Sequence, residues 1–144
     1  MIFDDLIKNA DKALNKNEIQ EALKLLKDAY KINPNSFDVC AKLGILSLQT
    51  SDLKNSINYF KKTLLLNPKS SIGYSNLGII YSKLNNLELA KLNYLKAVEV
   101  EPEKFNTNYN LANYFFSNND TENAEKYYLR SIKLDPKSFF PYNN

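Results

Sequence analysis

Histidine is absent from the chain, so the commonest general base and the commonest metal ligand are both missing. Cysteine occurs once, at Cys40, which excludes an internal disulfide and any multi-cysteine zinc site. Glycine occurs only three times, leaving little material for a loop that cradles phosphate. Tryptophan is absent and Arg130 is the only arginine. No run approaches the roughly 20 apolar residues of a membrane helix. The first residues, Met1-Ile2-Phe3-Asp4-Asp5, carry two acids and no basic stretch, unlike a secretory or transit peptide. A cytoplasmic setting is the resulting expectation. The charge balance, 19 Lys+Arg against 16 Asp+Glu, is too mild to point to nucleic acid or an anionic membrane. We therefore expect no metal, no cofactor, no catalytic residue, and neither nucleic acid nor membrane as partner.

What is present is a repeat. Pro34, Pro68, Pro102 and Pro136 recur every 34 residues. With each proline at position 32, the units are 3–36, 37–70, 71–104 and 105–138. Position 8 is Ala10, Gly44, Gly78 and Ala112; position 20 is Ala22, Ser56, Ala90 and Ala124; position 27 is Ala29, Thr63, Ala97 and Ser131. Position 24 is large: Leu26, Phe60, Tyr94 and Tyr128. Position 7 is Leu43, Leu77 and Leu111, failing only at Asn9. Two antiparallel helices approach closely only where side chains are small, and a large residue opposite fills the groove. Proline stops the second helix. Ser36, Ser70 and Ser138 are placed to cap the helix that follows, and Asp52 and Asp120 to cap second helices. Helices are expected near 3–16, 37–50, 71–84 and 105–118, paired with 18–32, 53–66, 87–100 and 121–134.

This pattern resembles the tetratricopeptide repeat family, a 34-residue helix–turn–helix. The family's tryptophan slot holds Leu6, Cys40, Tyr74 and Asn108, which weakens units 1 and 4 as matches. The resemblance implies an all-α, right-handed solenoid of four units forming one array over 1–144. Residues 139–144 read as the start of a fifth repeat or a cap: Phe139 falls at position 1, Tyr142 at position 4 and Asn144 at position 6. We therefore expect the chain to be part of a longer protein. If nothing follows, the apolar end made by Phe139, Phe140 and Tyr142 is a candidate for self-association.

The resemblance also implies that positions 2, 5, 6, 9, 12 and 13 of the first helices line a concave groove. Unit 1 then supplies Asp4, Ile7, Lys8, Asp11, Leu14 and Asn15. Among the later units, Lys42, Ile45, Asn76, Ile79, Asn106, Tyr109, Asn110, Asn113 and Phe116 form the candidate binding set. Asn76, Asn110 and Asn144 repeat at position 6, as a ladder that Lys42 interrupts in unit 2. An asparagine amide donates and accepts, so such a ladder can grip a peptide backbone. It resembles the ladder of O-linked N-acetylglucosamine transferase repeats. The bland reading of the same residues is that asparagine is abundant throughout this Lys- and Asn-rich chain. The family's two-carboxylate clamp takes Lys and Asn at positions 5 and 9 of one unit, Asn at 6 of the next, and Lys and Arg at 2 and 6 of the third. It is not expected here. Around Asn76 the flanking slots hold Ala41, Ile45, Asn106 and Asn110, and one unit earlier the slots hold Ile7, Asp11, Lys42, Ile72 and Asn76, so neither frame has the cations. The expected function is a non-enzymatic module binding an extended peptide or protein. The alternative is the substrate-selecting part of a transferase with its catalytic domain beyond residue 144. Cys40 reads as a buried small hydrophobe, Lys61-Lys62 as a solvated face, and Glu99, Glu101 and Glu103 as a helix end and not an acid–base pair.

Overall fold

The computed structural model describes residues 2–139; Phe140, Pro141, Tyr142, Asn143 and Asn144 lie outside the described residues, as does the side chain of Phe139. The expectations placed on that end, including Asn144 of the ladder, fall there. Among the described residues all regular structure is helical. The chain divides into two compact units, Met1–Pro68 and Lys69–Asn144. The first holds α1 (Ile2–Asn15), α2 (Ile19–Ile32), α3 (Phe37–Gln49) and α4 (Leu53–Leu66). The second holds α5 (Ser71–Lys83), α6 (Leu87–Val100), α7 (Phe105–Ser117), α8 (Thr121–Leu134) and α9 (Pro136–Phe139). In each unit consecutive helices pair, α1 with α2 and α3 with α4, α5 with α6 and α7 with α8.

The small slots explain the pairing. Every residue at positions 8, 20 and 27 is buried. A methyl group placed on Gly44 would stand 2.9 Å from the Phe60 ring, and one on Gly78 would stand 2.7 Å from the Tyr94 ring. Both are closer than carbon atoms can pack, so the aromatic residue at position 24 lies directly on the glycine. Ser56 adds a buried bond by donating to the Gly44 carbonyl at 2.7 Å. In the first repeat Ala10 and Leu26 share one core, a methyl and an aliphatic in place of glycine and a ring. In the fourth repeat Ala112 keeps its methyl, and Tyr128 is only half-buried. Its hydroxyl donates to Asn113 at 2.6 Å.

The turn inside each repeat is built the same way four times. Asn17, Ser51, Asn85 and Asn119, all at position 15, have φ between 56° and 62°. The next backbone N–H reaches back to the last helical turn: Glu18 to Ala13, Asp52 to Ser47, Asn86 to Tyr81 and Asp120 to Phe115, at 2.8–2.9 Å. This left-handed closure satisfies carbonyls the helix leaves open, and asparagine tolerates it better than most residues. Asp52, Asn86 and Asp120 then cap the following helices, and Ser36 and Ser70 cap α3 and α5. Ser138 departs from expectation. Pro136 opens α9, and Ser138 sits inside it, bonded to Asp135, so it caps no helix among the described residues. Proline suits the first turn of a helix, where its missing N–H costs nothing.

Candidate functional site

In the second unit the first helices of its two repeats, α5 and α7, face one another. A pocket of about 160 Å³ opens between them. α5 lines it with Ser71, Ile72, Ser75, Asn76 and Ile79, α7 with Asn106, Thr107 and Asn110, and the connecting loop with Lys104. Asn76, Ile79, Asn106 and Asn110 of the sequence-derived set thus share one cavity. The Asn76 amide donates to the Ile72 carbonyl at 2.9 Å, which fixes it on the wall and uses one of its two N–H groups.

The loop side of the pocket was not legible in the repeat pattern. Lys104 donates to Glu101 at 2.9 Å and to the Ser71 hydroxyl at 3.3 Å, and Ser71 in turn bonds Glu101. The bond from Ser71, followed by that from Lys104, holds the Glu101 carboxyl below its usual range. Lysine and glutamate therefore cancel, and the pocket is polar without a net charge. The loop is clasped from beneath. The buried Thr107 hydroxyl donates to the carbonyls of Glu101 and Lys104, both at 2.9 Å. The buried Asn108 amide donates to those of Pro102 and Lys104, at 2.9 and 2.8 Å. Its own oxygen is buried without a partner. α7 has no side-chain cap from Lys104, so this clasp does the fastening there.

The remaining set members lie elsewhere. Tyr109 stacks on Phe105 with centroids 5.4 Å apart and also packs against Tyr128. Asn113 accepts the Tyr128 hydroxyl and lines a different pocket of about 310 Å³, with Ser82, Asn85, Tyr94 and Tyr114 among its walls. Phe116 is 63% exposed, with its ring centroid 6.5 Å from that of Tyr128. Lys42 and Ile45 belong to α3 in the first unit. Ile45 is exposed. Lys42 reaches Asp11 at 2.7 Å and Asp38 at 3.1 Å. Burial opposes its charge, but the bonds to both aspartates outweigh that and raise its pKa. Its cation is thus committed inside the unit. In unit 1, Asp4, Ile7, Lys8, Asp11 and Asn15 line one open face of α1 together with Lys12.

Cys40 is fully buried, with its thiol 3.6 Å from the Pro34 carbonyl and its pKa pushed up by desolvation. A raised thiol pKa is the opposite of what a nucleophile needs. Among the described residues no group of His, Cys, Asp or Glu is arranged to hold a metal ion, and no helix is long and apolar enough to cross a membrane.

The tetratricopeptide repeat model matches residues 73–104 and 105–138. No curated protein matches the sequence. Among solved structures, MamA from Desulfovibrio magneticus RS-1 superposes with a TM-score of 0.83 at 20% identity, over 94% of this chain and 76% of that one. Another MamA crystal structure gives 0.83 at 17% identity, over 95% and 80%. TTC0263, a thermophilic TPR protein of Thermus thermophilus, gives 0.82 at 17% identity, over 93% and 75%. At such identities the likeness is one of fold. Residues 73–138 are therefore tetratricopeptide repeats, and the 34-residue period and the fold shared with these structures run through all four helix pairs.

Proposed function

We propose that the chain is a protein-interaction module, and that the pocket between α5 and α7 grips the backbone of an extended peptide. Repeat proteins of this kind present elongated surfaces to their partners. The observation that carries the reading is the pairing of Asn76 and Asn110, one repeat apart, in a cavity that also holds Asn106 and Ser75. Amides and hydroxyls can meet both N–H and C=O groups of a backbone. Ile72 and Ile79 supply apolar contact beside them. Cancellation of Lys104 by Glu101 leaves no charge to demand an acidic or a basic ligand, which suits recognition of main chain over side chain.

The test starts from a random peptide library displayed on phage and selected on the intact protein. Peptides that bind are titrated against the parent and against the Asn76→Ala/Asn110→Ala variant. We expect the double variant to lose about tenfold or more in affinity, from two or more lost hydrogen bonds, while its thermal midpoint stays within a few degrees. Undiminished affinity would show that the peptides bind elsewhere and would remove the groove assignment.

A further inference from the structure

The outer face of α6 differs from that of every other second helix. Positions 19, 22 and 25 are exposed in all second helices except at Asn123, which is half-buried. In the first repeat they are Glu21, Lys24 and Lys27, in the second Asn55, Asn58 and Lys61, in the fourth Asn123, Lys126 and Leu129. In α6 they are Leu89, Leu92 and Leu95, exposed by 37%, 49% and 39%. None of the three lines a pocket between α5 and α7 or joins the buried core of the unit. Three leucines at i, i+3 and i+6 sweep about 120° of helix surface. An apolar stripe at slots that are otherwise mostly polar is what a contact surface looks like.

The charges around the stripe identify its occupant. Glu88 and Lys96 lie four residues before and four residues after Leu92, on the same face. Both are exposed, and neither makes an ion pair among the described residues. Lys96 stands only at 5.9 Å from the centre of the Tyr74 ring, a loose contact. Let a second α6 run antiparallel across the first, with a twofold axis at Leu92. Leu92 then meets its own copy, Leu89 meets Leu95, and Glu88 meets Lys96, each twice. A parallel arrangement would set Glu88 against Glu88 and Lys96 against Lys96. The face is therefore complementary to itself in one register only, as a twofold contact requires.

We propose that α6 is a homodimer contact, and that the partner of its leucine stripe is α6 of a second copy of this chain. A single helix pair falls short of the ~800 Å² per partner of a standard stable interface, so the dimer is a weak, concentration-dependent one. The contact is distinct from the pocket between α5 and α7, and leaves it open.

Sedimentation velocity of the intact chain from about 5 µM to about 1 mM reads this directly, covering the affinity range of small interfaces. The expected result is a mass rising from 16.6 kDa toward twice that value. Leu92→Glu should weaken association more than about tenfold, because it places two carboxylates at the axis. Glu88→Lys and Lys96→Glu should each weaken it about tenfold by setting like charges opposite one another. Combining them restores opposite charges in the same register, and association should return to within about twofold of the parent. Helical circular dichroism and thermal melts check that each variant is folded. A chain monomeric at every concentration overturns the proposal. So does a dimer indifferent to Leu92→Glu, which would place the contact at another surface such as the last repeat. A dimer weakened by both single charge changes and not restored by the pair overturns the antiparallel register. A monomer whose α6 stripe is instead bound by a selected peptide assigns the face to a different protein.

Discussion

At Gly44 the whole side chain is a hydrogen atom because the Phe60 ring occupies the place of a methyl. Gly44→Ala should destabilise the chain by about 1–3 kcal/mol, the usual cost of overpacking, measured by urea unfolding. Adding Phe60→Leu should recover part of that loss, since Ala10 with Leu26 already fills the equivalent space in the first repeat. This couple was readable in the sequence, because small and large residues alternate at fixed slots and their volumes must sum to one gap. The position-15 residues were not. Asn17, Asn85 and Asn119 recur at the repeat period, but in so Asn-rich a chain that recurrence assigns no backbone role, and their positive φ does. Ser51 is the exception at that slot and the least suited to it. Ser51→Asn should therefore stabilise the chain by about 0.5 kcal/mol, again by urea unfolding, whereas Asn85→Ala should cost about 1 kcal/mol.

At the scale of helices, the expected boundaries agree with the observed ones to within a residue or two, because proline, cap and turn residues fix both ends. Two of the caps are carboxylates. Asp52 and Asp120 accept from the side chains and backbone N–H groups of Asn55 and Asn123, and these bonds lower their pKa values. A carboxylate with a lowered folded pKa stabilises the native state above its unfolded pKa of about 3.9 and loses that contribution as pH falls through the folded value. Thermal midpoints should accordingly be flat near neutrality and decline below about pH 4. Asp52→Asn/Asp120→Asn keeps both caps, since asparagine caps as well as aspartate, and should flatten the acid limb. An unchanged acid limb would assign it to other carboxylates such as Glu101. The candidate pocket was only half legible at this scale. Periodicity places Asn76, Ile79, Asn106 and Asn110 on facing helices. It is silent about Ser71, Lys104 and Glu101, whose network runs between a helix start and a loop and depends on rotamers that no period encodes. Nor does the pattern register that Asp11 and Asp38 lie within reach of the Lys42 ammonium.

At the scale of the molecule, four repeats of one length carry three different solutions to the same packing problem, the fourth repeat setting Ala112 with a half-buried Tyr128. Ala10 is matched with Leu26, and Gly44 and Gly78 with rings. The two members of each couple lie sixteen residues apart in the chain, one on each helix of a repeat. This constrains how such a gene can be reshuffled. A crossover in an intra-repeat turn that joined the first helix of repeat 1 to the second helix of repeat 2 would set the Ala10 methyl against the Phe60 ring, which would have to give up part of its burial, as Tyr128 does beside Ala112. The reciprocal product would leave a void between Gly44 and Leu26. Breakpoints near the prolines, by contrast, move each couple intact. The inter-repeat proline is thus where recombination, loss or duplication of a repeat keeps each small–large couple intact and changes only the contacts between neighbouring repeats, and the turn around position 15 is where the couple itself is broken.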